Sequence, residues 1–141
     1  MDLKVLRVKG MTLNKESLMI AATVFVDAED LKRIRASLEA DGVKVLPAAG
    51  LAEAIETPAP VILLDADRHQ EWENALRHIV EMRPTARVVV LARKADNRMW
   101  VETLSQGAHD LLLKPLVASE VRSAVLGALQ REMRVTSAAV A

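Results

Sequence analysis

Ionisable side chains follow three of the apolar runs in this chain. They are Asp27, Glu29 and Asp30 near the start, Asp65 in the middle and Lys114 near the end. If the apolar runs are parallel strands, these residues lie at the same edge of a sheet and can line one pocket. Carboxylates beside an ammonium can hold a hard cation such as Mg²⁺, or place a nucleophilic carboxylate for phosphoryl transfer. The alternative is a solvated rim of charges in which the acids cap helices.

The clearest element is the run that ends at Asp65. Val61-Ile62-Leu63-Leu64 is apolar at every position, so it cannot alternate between a buried and a solvated face. Such a run is typical of a central parallel strand that is buried on both sides. Ligands of open parallel sheets bind outside the carboxyl ends of the strands, which makes Asp65 a candidate site residue.

Strands and helices alternate along the rest of the chain. The predicted strands are residues 23–26, 43–46, 61–65, 87–91 and 110–113. Apolar residues at helical spacing follow each strand, as Leu31, Ile34 and Leu38 follow the first. This alternation predicts an α/β fold, a three-layer α/β/α sandwich in which helices cover both faces of a mostly parallel sheet.

The length and charge balance limit the domain count and the partners. With 141 residues and 51% hydrophobic content, the chain can form one domain with a substantial core. We assign this domain to residues 21–134, an N-terminal arm or extra strand to residues 1–20, and a flexible tail to residues 135–141. Lys and Arg total 19 and so do Asp and Glu, so no basic field predicts direct binding to nucleic acid.

Cysteine content and hydropathy bear on the compartment. The chain has no cysteine, which excludes disulfides and thiolate metal sites. No apolar run approaches the roughly 18 residues of a membrane span, and the N-terminus lacks a signal-peptide pattern. We therefore predict a cytoplasmic protein without a membrane partner.

Three segments together resemble the receiver domain of bacterial response regulators. They are Val24-Phe25-Val26-Asp27, Val61-Ile62-Leu63-Leu64-Asp65 and Gly107-Ala108-His109-Asp110-Leu111-Leu112-Leu113-Lys114-Pro115, within a similarity that spans residues 22–133. The resemblance implies a flavodoxin-like (CheY-like) fold with a five-stranded parallel sheet in the order 2-1-3-4-5.

The resemblance also implies roles for particular residues. Asp65 matches the phosphoacceptor, and Lys114 matches the phosphate-contact lysine, which a cis peptide bond joins to Pro115. Asp27 falls near the acid pair that binds Mg²⁺, and Glu29 is the candidate for the second acid. The implied metal ligands are therefore Asp27, Glu29 and Asp65.

The chain departs from the receiver pattern at positions that the family uses for switching. Ala92 stands at the end of the fourth strand, where the family has Thr or Ser, and Leu111 replaces an aromatic switch residue. Ala28 follows Asp27, so the two adjacent acids of the family are missing. Fewer carboxylates weaken divalent binding, so we expect Mg²⁺ binding to be weak or lost. A phosphoryl group shifts the equilibrium between two conformations only if it makes better contacts in one of them. Ala92 and Leu111 lack the hydroxyl group and the aromatic ring that the family uses for these contacts.

These observations indicate an atypical receiver domain of a bacterial two-component (phosphorelay) signalling protein, and not an enzyme. The resemblance implies a histidine kinase or another signalling protein as partner, and we expect protein contacts to matter more than phosphorylation at Asp65. In the family, the fourth helix, fifth strand and fifth helix form the face for partners and homodimers.

The two tryptophans are assigned from helical spacing. Val101 and Leu104 are predicted to supply the inward face of the fourth helix, which leaves Trp100 half exposed as a partner residue. The alternative is that Trp100 folds down over Leu104. Trp72 is assigned to the core through its spacing to Leu76 and Ile79.

Two other functions compete with the signalling interpretation. Asp65-Ala66-Asp67 fits the Asp-x-Asp signature of haloacid-dehalogenase-type phosphotransferases and phosphatases, with Asp65 as nucleophile and Asp67 as general acid. That family needs a further acid pair after its lysine, and Asp67 is otherwise predicted to cap a helix. The third interpretation is a pilus- or secretion-associated pseudo-receiver, with no metal response and an obligate partner or dimer.

Overall fold

The computed structural model describes residues 19–68 and 70–140, with the backbone alone for residues 131–140. Five strands alternate with five helices, as the sequence predicts. The elements are β1 Ile20–Val24, α1 Ala28–Leu38, β2 Lys44–Pro47, α2 Leu51–Glu56, β3 Val61–Asp65, α3 Trp72–Met82, β4 Arg87–Ala92, α4 Asn97–Ser105, β5 Asp110–Leu113 and α5 Ala118–Val140.

All five strands are parallel and lie in the order β2-β1-β3-β4-β5. This arrangement confirms the predicted flavodoxin-like fold. β3 is central and every one of its residues is buried, which explains why its sequence does not alternate. Its last residue, Asp65, lies opposite Leu91 of β4.

Helices cover both faces of the sheet and enclose two cores. On one face, Ile34 of α1 and Val125 of α5 pack against Leu63 of β3. On the other face, α2, α3 and α4 pack against Ile62 and Leu64, the neighbours of Leu63 in the strand. Successive side chains of a strand point to opposite faces, so β3 contributes to both cores.

β1 ends two residues earlier than the sequence predicts. The apolar run Thr23–Val26 suggested one strand, but the sheet pairing stops at Val24. Phe25 has φ +65°, a left-handed conformation that is unusual for a bulky residue and turns the chain out of the sheet. Phe25 then packs against one core and Val26 against the other. The two residues are apolar because they cover both cores, and Asp27 lies three positions beyond the strand.

The inward face of α4 differs from the predicted one. Val101 and Leu104 are 66% and 43% exposed, so their assignment to the core is wrong. Thr103 is the buried residue of this helix, and Met99 and Trp100 are partly buried against the core. Because Met99, Trp100, Val101 and Leu104 are all apolar, the spacing alone fits two faces of the helix, and the sheet selects the other one.

The division into an arm, a domain and a tail stays a prediction. β1 begins at Ile20, and residues 1–18, most of the predicted arm, lie outside the described residues. The backbone of α5 continues to Val140, within the segment assigned to the tail. None of the helices in the described part of the chain is both long and apolar enough to cross a membrane.

Arg83, the residue after α3, holds the segment that leads into β3. Its Nη1 donates to the carbonyl oxygen of Thr57 at 2.6 Å, and its Nη2 donates to that of Ala59 at 2.8 Å. A longer contact of 3.4 Å joins Nη1 to the carbonyl oxygen of Ile55. One guanidinium therefore satisfies carbonyl groups that no helix or strand partner reaches, immediately before the strand that carries Asp65.

Candidate functional site

Asp65 lies at the carboxyl edge of the sheet, and its side chain is 0% exposed. The Oδ1 atom accepts a hydrogen bond of 2.7 Å from the backbone N–H of Asp67. The N–H of Ala66 donates to the carbonyl oxygen of Leu91 at 2.8 Å, which fixes the loop after β3 against β4. The buried carboxylate is therefore oriented by its own loop, and its second oxygen faces the end of β5.

Lys114 supplies the counter-charge for Asp65. Its Nζ lies 2.5 Å from Asp65 Oδ2, 3.1 Å from Asp30 Oδ2 and 3.4 Å from Asp67 Oδ2. The backbone N–H of Lys114 donates to the carbonyl oxygen of Ala92 at 2.9 Å, and the peptide bond to Pro115 is cis, as the resemblance implies. Burial works against the charged form, but hydrogen bonds to Asp65 and Asp30 outweigh it and raise the pKa of Lys114.

Asp27 is the N-cap of α1. Its Oδ1 accepts a hydrogen bond of 2.8 Å from the backbone N–H of Asp30, and its Oδ2 lies 3.4 Å from Arg68 Nη1. The hydrogen bond from Asp30 lowers the pKa of Asp27, and the nearby charges of Arg68 and Lys114 lower it further, although burial opposes them. The structure thus uses this carboxylate to begin a helix.

The second acid of the pocket is Asp30, where the sequence interpretation chose Glu29. Asp30 pairs with Lys114, whereas the exposed Glu29 carboxylate makes no hydrogen bond or ion pair with any described residue. Asp30 is three residues after the cap Asp27, one helical turn along and on the same side of α1. That spacing is a signal that could have identified Asp30, once β1 is known to end at Val24.

An open pocket of about 350 Å³ lies over this cluster. Its lining mixes acids, bases and a proline: Asp27, Glu29, Asp30, Arg33, Arg93, Lys114 and Pro115. The residue at the adjacent end of β4 is Ala92, which is buried and carries no polar group. The charged side chains of the pocket can therefore form ion pairs with a ligand, but the residue at the end of β4 has no hydroxyl group to donate to it.

Solved structures of bacterial signalling proteins share this architecture. A response regulator from Thermotoga maritima is 23% identical, with a TM-score of 0.72 over 79% of this chain and 97% of that one. The signal receiver domain of a protein named as a Luxo repressor in Vibrio parahaemolyticus is 17% identical, with a TM-score of 0.76 over 84% and 95%. This chain has the receiver (CheY-like) fold.

A third similar structure belongs to a protein with a different functional description. A Burkholderia pseudomallei protein named as pilus assembly-related is 15% identical, with a TM-score of 0.69 over 85% of this chain and 96% of that one. No protein-family model and no curated protein matches the chain. The similarity to these receiver structures therefore concerns the fold, and the function has to be argued from the site.

The acids of this receiver fold do not fit Mg²⁺ as they are arranged. The described residues contain no group of three His, Cys, Asp or Glu side chains that could hold a metal ion. Asp27 caps α1, and the Asp65 oxygen that faces the pocket contacts Lys114. Mg²⁺ requires near-octahedral oxygen ligands and several retained waters, so an ammonium suits this position better. Mg²⁺ at Asp27, Glu29 and Asp65 stays a prediction of the sequence.

Asp67 has a different position from the one that the sequence suggests. It does not cap α3, whose N-cap residue is Glu71, and its carboxylate lies beside Lys114 instead. A carboxylate in an ion pair is poorly placed to donate a proton, which the haloacid-dehalogenase-type mechanism requires of Asp67. No contact of the described pocket favours that enzyme interpretation.

The two positions that the resemblance assigns to switching hold buried apolar side chains. Leu111 of β5 is 2% exposed and belongs to the core on the α3 side. Ala92 is 1% exposed and belongs to the same core. Neither side chain can donate or accept a hydrogen bond, so neither can follow a charge that appears on Asp65.

Four exposed large apolar side chains lie on α4, on β5 and immediately before α5. This apolar face consists of Val101, Leu104, Leu113 and Val117, which are between 41% and 66% exposed. Trp100 lies on α4 as well and is partly buried against the core. The role of Trp100 as a partner residue stays a prediction, whereas its apolar neighbours are the more accessible residues. Trp72 is also only partly buried, although Leu76 and Ile79 are in the core as predicted.

Proposed function

We propose that this chain is an atypical receiver domain of a bacterial two-component (phosphorelay) signalling protein that acts through protein–protein contacts. The observation that carries the proposal is the ion cluster at Lys114, where three carboxylates lie within 3.4 Å of one ammonium. A side chain of the protein itself, Lys114, therefore supplies the counter-charge for Asp65.

Neutralisation within the fold argues against a phosphorylation switch. A phosphoryl group on Asp65 changes the conformational equilibrium only by contacts that differ between two states. Lys114 is already engaged by Asp30 and Asp67, and Ala92 offers no hydroxyl to follow the group. Phosphorylation of Asp65 would therefore produce little change at β5, and the output depends on which protein docks.

The proposal is tested by titration with Mg²⁺ and beryllofluoride, which mimics a phosphoryl group on a carboxylate. Fluorescence of Trp72 and Trp100 reports changes on the α3 and α4 side of the sheet. We expect no saturable change up to tens of millimolar Mg²⁺, because the cluster has no place for a second cation. The Asp65→Asn variant is the control for nonspecific quenching.

A saturable change in the wild-type protein that disappears in Asp65→Asn would contradict the proposal. It would show that the acidic pocket accepts the phosphoryl mimic despite Ala92 and Leu111. The phosphorylation switch at Asp65, with Mg²⁺ as cofactor, would then be the better function.

The partner surface that we propose is the apolar face on α4, β5 and α5. Exposed contiguous apolar area on a folded domain commonly marks a site of protein association. The partner is a histidine kinase, another signalling protein or a second copy of this chain, and the cytoplasmic location stays a prediction of the sequence. A second copy is the case that can be measured with the purified protein alone.

For homodimers through this face, Leu104→Glu is expected to weaken self-association by about a hundredfold. The introduced carboxylate would be buried without a partner in the interface, a loss of about 3 kcal/mol. Sedimentation velocity over a range of concentrations measures the dimer fraction. Met82→Glu is the matched control, because Met82 is 56% exposed on α3, outside the apolar face.

If the wild-type protein is monomeric at every concentration, the homodimer is ruled out and the partner is a different protein. If Met82→Glu weakens the dimer as much as Leu104→Glu does, the dimer uses another surface.

A pilus- or secretion-associated pseudo-receiver is a second candidate for the same docking role. The similarity to the Burkholderia pseudomallei protein named as pilus assembly-related favours it as a cellular setting. This candidate shares the expectation of no metal response, and it adds an obligate partner or dimer. The self-association measurement above therefore bears on both candidates.

A further inference from the structure

Three carboxylates surround the ammonium of Lys114, which donates a hydrogen bond to Asp65 and forms ion pairs with Asp30 and Asp67. An ammonium group has three N–H donors and no acceptor. Asp30, Asp65 and Asp67 each place one oxygen between 2.5 and 3.4 Å from Nζ. Since the Lys114 side chain is only 8% exposed, it cannot turn outward to offer a donor to a new ligand.

The three carboxylates are not equally easy to displace. The Asp65 carboxylate lies 2.5 Å from Lys114 Nζ, and its side chain is 0% exposed. The Asp30 carboxylate lies 3.1 Å from the same atom, and its side chain, on α1, is 15% exposed. Asp67 is 27% exposed at 3.4 Å, which makes it both the most distant and the most accessible of the three. Asp67 is also two residues from Asp65, and its N–H orients Asp65 Oδ1. Of the three carboxylates, Asp67 is therefore the easiest for a ligand of Lys114 to displace.

We infer that Asp67 is an internal competitor that closes Lys114 to phosphate-type oxyanions. Its carboxylate lies 3.4 Å from the ammonium that such an anion, free or attached to Asp65, would need. The inference rests on the proposed function, because it explains how a receiver fold with an intact aspartate and lysine is kept from responding to phosphate. It assigns to Asp67 a regulatory contact within the chain.

The test is the binding of inorganic phosphate to the whole chain, followed by backbone amide chemical shifts. Asp67→Ala is expected to bind phosphate about tenfold more tightly than the wild-type protein, because the negative charge that competes for Lys114 is removed. The shifts should saturate at Lys114, Ala66 and Asp30. Asp67→Asn, which keeps the size of the side chain, should show a smaller gain.

Glu29→Gln is the matched control. Glu29 lines the same pocket, and the variant removes the same charge without touching Lys114. If Glu29→Gln gains as much affinity as Asp67→Ala, the effect is general electrostatics and the inference is overturned. Equal phosphate affinity of Asp67→Ala and the wild-type protein overturns it as well.

The inference and the proposed function fail in different experiments. A response of the wild-type protein to Mg²⁺ and beryllofluoride contradicts the proposed function. Absence of any gain in Asp67→Ala contradicts the role of Asp67 and leaves the docking function in place. Both Asp67 variants should keep the amide shifts of the distant core, since the side chain lies at the edge of the pocket.

Discussion

Lys114→Met is expected to lower the free energy of unfolding by about 3 kcal/mol. The methionine keeps the apolar stem of the lysine but removes the charge that neutralises Asp65, whose side chain is 0% exposed. Asp30 and Asp67 would then repel the same buried carboxylate. Urea unfolding at neutral pH, followed by far-ultraviolet circular dichroism, measures the change.

The double variant Lys114→Met/Asp65→Asn separates lost charge from lost packing. A neutral amide needs no counter-charge, so the double variant should recover most of the stability that Lys114→Met loses. Arg122→Met is a control that breaks the solvent-accessible ion pair between Arg122 and Asp41, and it should cost much less stability than Lys114→Met. If Lys114→Met and Arg122→Met unfold alike, the Lys114 cluster does not stabilise the fold.

The sheet and its strand order could be predicted because they depend on long apolar runs. β3 and β4 are buried along nearly their whole length, and a sequence with no alternation reports this directly. The same property misled the assignment of β1. Phe25 and Val26 are as apolar as the strand before them, although they cover the two cores from a turn.

The turn after β1 decides which acid contacts Lys114. Asp27, Glu29 and Asp30 all line the pocket, and their order in the sequence does not show which of them reaches the lysine. The actual end at Val24 makes Asp27 a helix cap and brings Asp30 to Lys114. Sequence chemistry identified the acidic cluster and the pair of Asp65 and Lys114. It could not decide which acid faces the lysine, since that depends on a backbone turn at a non-glycine residue.

Side chains that bridge distant segments were also invisible in the sequence. Asp67 lies beside Lys114, whereas its sequence pattern suggests a helix cap or the general acid of an Asp-x-Asp signature. Arg83 bonds to backbone carbonyls 24 to 28 positions earlier in the chain. Carbonyl groups are present at every residue, so no pattern of residue types marks such a contact.

Arg83→Met is expected to lower the free energy of unfolding by about 2 kcal/mol. The variant removes the guanidinium donor from the carbonyl oxygens of Thr57 and Ala59; that of Thr57 keeps the N–H of Ala59, and Ala59 is fully buried. Arg83→Lys should lose a large part of the same stability, because an ammonium cannot reproduce the planar fork that spans both carbonyls. Thermal and urea unfolding measure both variants against Arg77→Met, which alters an exposed arginine of the same helix.

The position of Arg83 gives this prediction a functional consequence. The segment that it holds leads directly into β3, and β3 places Asp65 in contact with Lys114. If loosening this segment displaces β3, the amide shifts of Ala66 and Lys114 should change in Arg83→Met and not in Arg77→Met. If Arg83→Met is less stable but leaves those shifts unchanged, Arg83 stabilises the fold without positioning the ion cluster. Equal stability of Arg83→Met and Arg77→Met would instead show that water replaces the guanidinium at little cost.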